Sequence, residues 1–256
     1  MKAKTKTKAL LMSLCAVLLV AASVLGTMAY LTDSKDVKNT FTVGNVTITL
    51  DEAKVDGNGN AINKQGKRVT NLADAERVPG NAYKLLPGHT YTKDPTVTVL
   101  APSVESYVRM KVTFNKASAL IAMCTDPEFA EDGPTGVENA FPLIRMVKFV
   151  EANAAKWDGI IPDNMVDTKD MLADPKYIDA KNDTLTYYFY YKETVEAPTA
   201  DVKLATLFDS IKVPEWATGD QLKALQGFEI NVVAEAIQAD GFENADAAWA
   251  AFAAQK

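Results

Sequence analysis

Apolar and polar residues alternate along much of the chain, and this pattern predicts β-strands. The clearest case is segment 104–114. Its buried face would comprise Val104, Val108, Met110, Val112 and Phe114, and its wet face Tyr107, Arg109, Lys111 and Thr113. A period of two over this length is typical of a half-buried antiparallel strand.

The same pattern recurs in other segments, namely 41–50, Val97 with Val99, 143–150, 185–191, 202–208 and 228–236. In 41–50 the apolar frame shifts at Gly44-Asn45, which predicts a bulge. Helices are expected only at 116–124, from Thr218 onward, and at 244–254. About seven or more strands without a βαβ rhythm predict an all-β, jelly-roll-like antiparallel β-sandwich with a few short inserted helices.

The last of these helices is rich in alanine, and Asn244 or Asp246 is expected to cap it. Its aromatic residues, Trp249 and Phe252, are expected to pack on the sandwich. Aromatic residues also fill both faces of 187–191, which predicts cross-strand packing or a subunit interface.

The N-terminus has the order of a secretory signal peptide. Four lysines precede residue 9, and residues 9–25 carry no charge. This apolar stretch of about 17 residues is shorter than the ~20 of a membrane span, and small residues follow at 26–29. We therefore predict a signal peptide over 1–29, cut between Ala29 and Tyr30, and a secreted product in the extracellular matrix or at the cell surface. A retained signal anchor is the alternative.

Composition then limits the partners and the chemistry. Because residues 1–29 hold four Lys and no acidic residue, cleavage leaves a chain more acidic than the formal charge of −6 of the whole sequence. Such a surface disfavours nucleic acid and, after cleavage, anionic membranes. Cys124 is the one cysteine beyond the signal, so an intrachain disulfide is excluded and a small buried thiol is expected.

Catalytic patterns are missing from the sequence. His89 is the one histidine, so a His-Glu-x-x-His zinc site is excluded, and His89 is expected to be a solvated turn residue. A nucleophile elbow, a P-loop and a dinucleotide fingerprint are also lacking. We therefore predict a protein that is not an enzyme, with no catalytic, cofactor or metal residues. The polar loop 56–60 leaves calcium binding open.

Several segments together resemble the TasA/camelysin family of secreted Gram-positive biofilm-matrix proteins. They are the cleavage region 26–33, segments 39–44 and 46–50, Leu86-Pro87-Gly88 with Lys93-Asp94-Pro95, the strand residues 107–110, and 234–242 leading to Ala248-Trp249. The resemblance implies cleavage by a dedicated signal peptidase. It also implies a jelly-roll domain that forms extracellular fibres, in which the N-terminal segment of one subunit completes a sheet of the next.

On this basis residues 30–40 are the strand donor and residues 41–256 are the sandwich domain. The donor and interface residues are Tyr30, Leu31, Thr32, Asp33, Val37 and Asn39. The partner would be a second copy of this chain or a paralogous matrix subunit. Strand donation from head to tail is a heterologous contact that need not close, and it therefore builds a filament.

Two other functions stay open at this stage. The same family includes proteins described as cell-surface metalloproteases, although one histidine would leave a zinc ion mostly carboxylate ligands. A monomeric surface module that binds glycans through exposed aromatic residues, such as Trp157 or Trp216, is the other alternative.

Overall fold

The computed structural model describes residues 32–36, 39–42, 46–124, 146–159 and 177–255, with the backbone alone described up to residue 42. The predicted signal peptide and its predicted cleavage site lie outside the described residues, as do Tyr30, Leu31 and Val37. Thr32–Lys256 forms one compact unit. No helix in the described part of the chain is long and apolar enough to cross a membrane.

Fifteen strands are found in the described residues. They are β1 (Thr32–Asp36), β2 (Asn39–Thr42), β3 (Thr47–Ala53), β4 (Arg77–Val78), β5 (Thr90–Thr92), β6 (Thr96–Leu100), β7 (Ser103–Asn115), β8 (Val147–Phe149), β9 (Trp157–Asp158), β10 (Ile178–Asp179), β11 (Thr184–Tyr191), β12 (Val195–Ala197), β13 (Val202–Lys203), β14 (Phe208–Lys212) and β15 (Ile230–Gln238). Every pair between them is antiparallel.

The strands form three sheets. The large sheet has the order β10-β11-β7-β15-β1-β2, with β12 also paired to β7 and β9 to β11. The second sheet has the order β13-β6-β3-β4, and the third the order β5-β14-β8. Ile48 and Val99 of the second sheet share one buried core with Val108, Met110 and Val112 of the large sheet. The predicted all-β antiparallel sandwich with a few short helices is confirmed.

The helices begin where the sequence signals place them. They are α1 (Ala117–Cys124), α2 (Gly219–Ala224) and α3 (Ala245–Ala254), with 3-10 turns at Leu72–Asp74 and Glu151–Lys156. Thr218 caps α2 in a capping box with Gln221, and the Asn244 side chain accepts from the Ala247 N–H at the start of α3. The predicted packing of Trp249 and Phe252 is confirmed, since both are buried.

The expected inward position of Val104 is wrong. Ser106 pairs with Val195 and Ser103 pairs with Ala197, so β7 advances by three residues where β12 advances by two, and the register between the strands shifts. This irregularity reverses the alternation below Ser106, and Val104 is consequently exposed while Ser103 and Ser106 are buried. The expected wet face is also wrong at Arg109, which α3 covers.

Two segments predicted as single strands are divided between sheets. Segment 41–50 contains the end of β2 in the large sheet and the start of β3 in the second sheet. The chain therefore changes sheet between Thr42 and Thr47, and the bulge predicted at Gly44-Asn45 lies outside the described residues. Segment 202–208 likewise divides into β13 in the second sheet and the first residue of β14 in the third.

The polar loop 56–60 is a tight turn held by the carboxylate of Asp56. This carboxylate accepts from the backbone N–H groups of Asn58 at 2.9 Å and Asn60 at 3.0 Å, and from Arg68 Nε at 2.7 Å. Partial burial alone raises the pKa of Asp56, but these hydrogen bonds outweigh it and lower the pKa to about 2.

Acid should therefore weaken this turn in a defined window. Because the folded pKa is depressed, the charged form of Asp56 contributes stability that is present above about pH 4 and is lost as the pH falls through about 2. We expect the difference in unfolding free energy between wild type and Asp56→Asn to shrink over that range, measured by urea unfolding at several pH values. Arg68→Gln should retain part of the dependence, since the backbone donors remain. A difference that does not vary with pH would contradict the assignment.

Candidate assembly site

The edge of β15 opposite β7 is the place where the N-terminal segment meets the sandwich. In the chain itself β1 occupies this edge in antiparallel register, with Thr32 opposite Ile237, Asp33 opposite Ala236 and Lys35 opposite Ala234. The second strand, β2, folds back on β1 through the pairing of Asp36 with Asn39. The proposed border between donor and sandwich, at 40/41, falls inside β2.

Backbone hydrogen bonds show which groups of β15 face this edge. Glu229 O accepts from Asn115 N at one end, and Ala239 N donates to Glu105 O at the other. Because the direction alternates along an antiparallel ladder, odd-numbered residues of β15 bond to β7 and even-numbered residues face the opposite edge. On that edge Ala234 and Ala236 pair with β1. Ile230 and Val232 pair with β7 on their other side but have no strand partner on this edge among the described residues.

The part of the edge that β1 covers is fully packed. Ala234, Ala236 and Ile237 have no exposed surface, and Glu235 is 1% exposed. Removing β1 would leave backbone N–H and C=O groups on this edge of β15 unpaired, which is unfavourable. This edge therefore needs a strand from some chain.

A cavity of about 600 Å³ lies beside the uncovered half of β15. Residues 228–232 form one wall, residues 50–52 of β3 form another, and residues 79–85 of the loop after β4 lie across from them. The lining is mostly apolar, with a few charged side chains among it.

The polar end of the cavity contains a buried ion pair. Lys93 Nζ donates to Glu52 Oε2 at 2.6 Å, and the side chains of both residues are more than nine-tenths buried. Asn81 Nδ2 donates to Glu52 Oε1 at 2.8 Å. Burial, with the charge of Glu52 as a second cause, raises the pKa of Tyr83, so the phenol stays protonated and donates to Thr92 O at 2.9 Å.

A second charged group fixes β4 to β3. Asp94 accepts from Arg77 Nη1 at 2.5 Å and from Ala53 N at 2.6 Å, and Arg77 Nε donates to Asp51 Oδ1 at 2.8 Å. Burial lowers the pKa of Arg77, but the hydrogen bonds and charges of Asp94 and Asp51 outweigh it and raise the pKa. The guanidinium thus stays charged and holds the wall of the cavity.

On the outer face of the large sheet, Arg109 is enclosed by aromatic rings. Its Nε donates to Glu235 Oε2 at 2.7 Å, and its guanidinium lies 4.1 Å from the ring centre of Trp249 and 4.7 Å from that of Tyr188. The rings of Phe252 and Tyr190 are within 6 Å. This cation–π cluster joins α3 to β7, β11 and β15.

The structure brings only part of the predicted site together. Thr32, Asp33 and Asn39 lie in the β1–β2 hairpin on β15, while Tyr30, Leu31 and Val37 are outside the described residues. Sequence reasoning missed Glu52 and Lys93 in the cavity, and Arg109 with Glu235 on the opposite face. Glu52 had a signal, because it continues the inward frame of Val46, Ile48 and Leu50.

Other candidates are changed by their surroundings. His89 does not project freely from its turn, because its Nε2 lies 2.6 Å from Asn58 O and its ring contacts Tyr91. Trp157 is buried and donates to Ala205 O, which removes it as an exposed glycan platform, and Trp216 is half-buried. Cys124 is buried as predicted. The described residues contain no group of three or more His, Cys, Asp or Glu side chains arranged to hold a metal ion.

Comparison of the chain with protein-family models, with curated proteins and with solved structures gave no match. The resemblance to the TasA/camelysin family remains an expectation from the sequence.

Proposed function

We propose that the protein is a secreted structural subunit of an extracellular matrix, which forms fibres by adding its N-terminal segment to the β15 edge of a neighbouring subunit. The observation that carries the proposal is the incomplete use of β15. This strand has nine residues, and in the described part of the chain the N-terminal segment pairs with residues 234–237 only.

A straight donor would use the whole edge. In the register set by Asp33 opposite Ala236 and Lys35 opposite Ala234, an uninterrupted strand places Val37 opposite Val232 and Asn39 opposite Ile230. At the other end, Leu31 falls opposite Gln238. A chain that folds its donor back into the β1–β2 hairpin pairs Asn39 with Asp36 instead, whereas a straight donor from another subunit gains the pairing of Asn39 with Ile230.

The additional pairing favours strand exchange between subunits over the hairpin within one chain. Each ladder pair adds hydrogen bonds and cross-strand contacts, and each subunit has one donor and one acceptor edge. Head-to-tail exchange of this kind forms an open filament. Cleavage between Ala29 and Tyr30 would release the donor from the membrane, so that export precedes assembly. The partner is a second copy or a paralogous matrix subunit with the same edge.

The test compares the protein starting at Tyr30 with a variant that lacks residues 30–39. The first should form fibres visible by electron microscopy and large particles in light scattering, whereas the second should form none. A synthetic peptide of residues 30–39 should bind the shortened variant and raise its melting temperature. A peptide of the same composition in scrambled order is the control. Fibres from the shortened variant would refute the proposal.

A further inference from the structure

Glu52, Lys93 and Asn81 form a three-residue cluster in which one carboxylate contacts both an amine and a side-chain amide. The two oxygens of one carboxylate hold an amine and an amide: Oε2 accepts from Lys93 Nζ at 2.6 Å and Oε1 accepts from Asn81 Nδ2 at 2.8 Å. The side chains come from separate parts of the chain, since Glu52 lies in β3, Asn81 follows β4 and Lys93 follows β5.

The amide of Asn81 is fixed in one orientation. Its Oδ1 accepts from Val55 N at 3.0 Å, and its Nδ2 donates to Ala53 O at 2.8 Å as well as to Glu52. The N–H of Val55 polarises the Asn81 carbonyl. It would also stabilise the negative charge that develops on Oδ1 during attack at Cγ. The carboxylate at Nδ2 lies where a leaving amine needs a proton.

We propose that Lys93 and Asn81 form an intramolecular amide bond, with Glu52 as the proton carrier. Glu52 accepts a proton from the Lys93 ammonium group, and the neutral amine attacks Asn81 Cγ. Glu52 then passes a proton to Nδ2 and takes one from Nζ. The Cγ–Nδ2 bond breaks, the Cγ–Nζ bond remains, and one ammonia molecule leaves. The reaction needs no oxidant, metal or cofactor.

The surroundings favour reaction at this place. The ion pair is more than nine-tenths buried, and the ring of Tyr83 lies over Lys93 with 5.9 Å between Nζ and its centre. Burial of the ion pair strengthens its polar contacts and holds the charged groups in place. Exposed pairs such as Lys54–Glu76 and Lys156–Glu193 differ, because their side chains are open to solvent.

The bond would join the loop after β4 to the segment between β5 and β6, and would thus close the cavity wall covalently. Because Cys124 is the single cysteine beyond residue 29, a disulfide cannot supply such a link. The inference does not depend on fibre formation, since it concerns atoms within one chain.

Peptide mapping by mass spectrometry tests the proposal on protein purified after expression of the full chain. Trypsin cuts after Lys and Arg but not after an acylated Lys. The linked product is therefore residues 78–84 joined to residues 85–109, with a mass lower than the sum of the two peptides by one ammonia molecule. We expect this branched peptide from wild type. Only unlinked peptides ending at Lys84, Lys93 and Arg109 from folded wild type would overturn the proposal.

Variants separate the three roles. Asn81→Ala and Lys93→Arg should remove the branched peptide completely, and Glu52→Gln should remove it while leaving both reacting side chains present. The matched control is Asn60→Ala, which alters an amide that also contacts a carboxylate, Asp56, but whose cationic neighbour is Arg68. This control should retain the link. A branched peptide from Glu52→Gln would overturn the assignment of Glu52.

Discussion

Lys35→Pro is expected to abolish fibre growth. Residue 35 lies opposite Ala234, and in the alternating ladder its N–H faces β15. Proline has no N–H and its ring interrupts a ladder from within, so a donor carrying it cannot seat in the register that β15 requires. Electron microscopy of the protein starting at Tyr30 should show no fibres, and light scattering should show small particles.

Two matched variants locate the cause. The N–H of Ser34 faces the other side of β1, toward Phe41 of β2, so Ser34→Pro should still form fibres. Lys35→Gln removes the charge and keeps the N–H, and it should assemble as wild type does. Fibres from Lys35→Pro, or their loss in Lys35→Gln, would show that the register in the single chain is not the one used between subunits.

Glu235→Ala is expected to lower the free energy of unfolding by about 3–5 kcal/mol, because it leaves the charge of Arg109 buried without its partner. Arg109 is 7% exposed and Glu235 is 1% exposed, so water cannot replace the lost carboxylate in full. Urea unfolding followed by circular dichroism measures the difference. The loss should appear with an unchanged dependence on denaturant.

The double variant Arg109→Met with Glu235→Leu distinguishes two causes of lower stability, namely loss of the ion pair itself and burial of an unpaired charge. Replacing both charges by apolar side chains is often neutral or stabilising, so this variant should recover most of the loss. Glu243→Ala, which changes an exposed residue near the same helix, should fall within about 0.5 kcal/mol of wild type. A large loss that persists in the double variant would mean that packing of the rings dominates.

Much of the fold follows from local pattern, because alternation and capping act between near neighbours. Residues 108–114 alternate without interruption, and Asn244 and Thr218 cap their helices as their positions predict. The change at Gly44-Asn45 was visible as a shift of frame. The division of the flanking strands between two sheets was not, because it depends on pairing with distant strands.

The candidate sites could not be predicted from local sequence, because their residues come from distant parts of the chain. Arg109 follows the polar frame of β7 and is buried only because Trp249 and Phe252 lie on it. Lys93-Asp94-Pro95 has turn composition, yet contacts with β3 and Arg77 bury both charges. The donor segment is polar and carries no pattern of its own. Its position beside β15 is determined by the arrangement of the whole large sheet.

The position of β15 also bears on the order in which the large sheet can form. It follows every other described strand in chain order, yet it lies between β7 and β1 in the large sheet. A chain synthesised from its N-terminus therefore contains β1, β2 and β7 before it contains β15, the strand that lies between β7 and β1. Because this pairing is long-range in sequence, we expect the large sheet to be completed late, only after residues 230–238 are available.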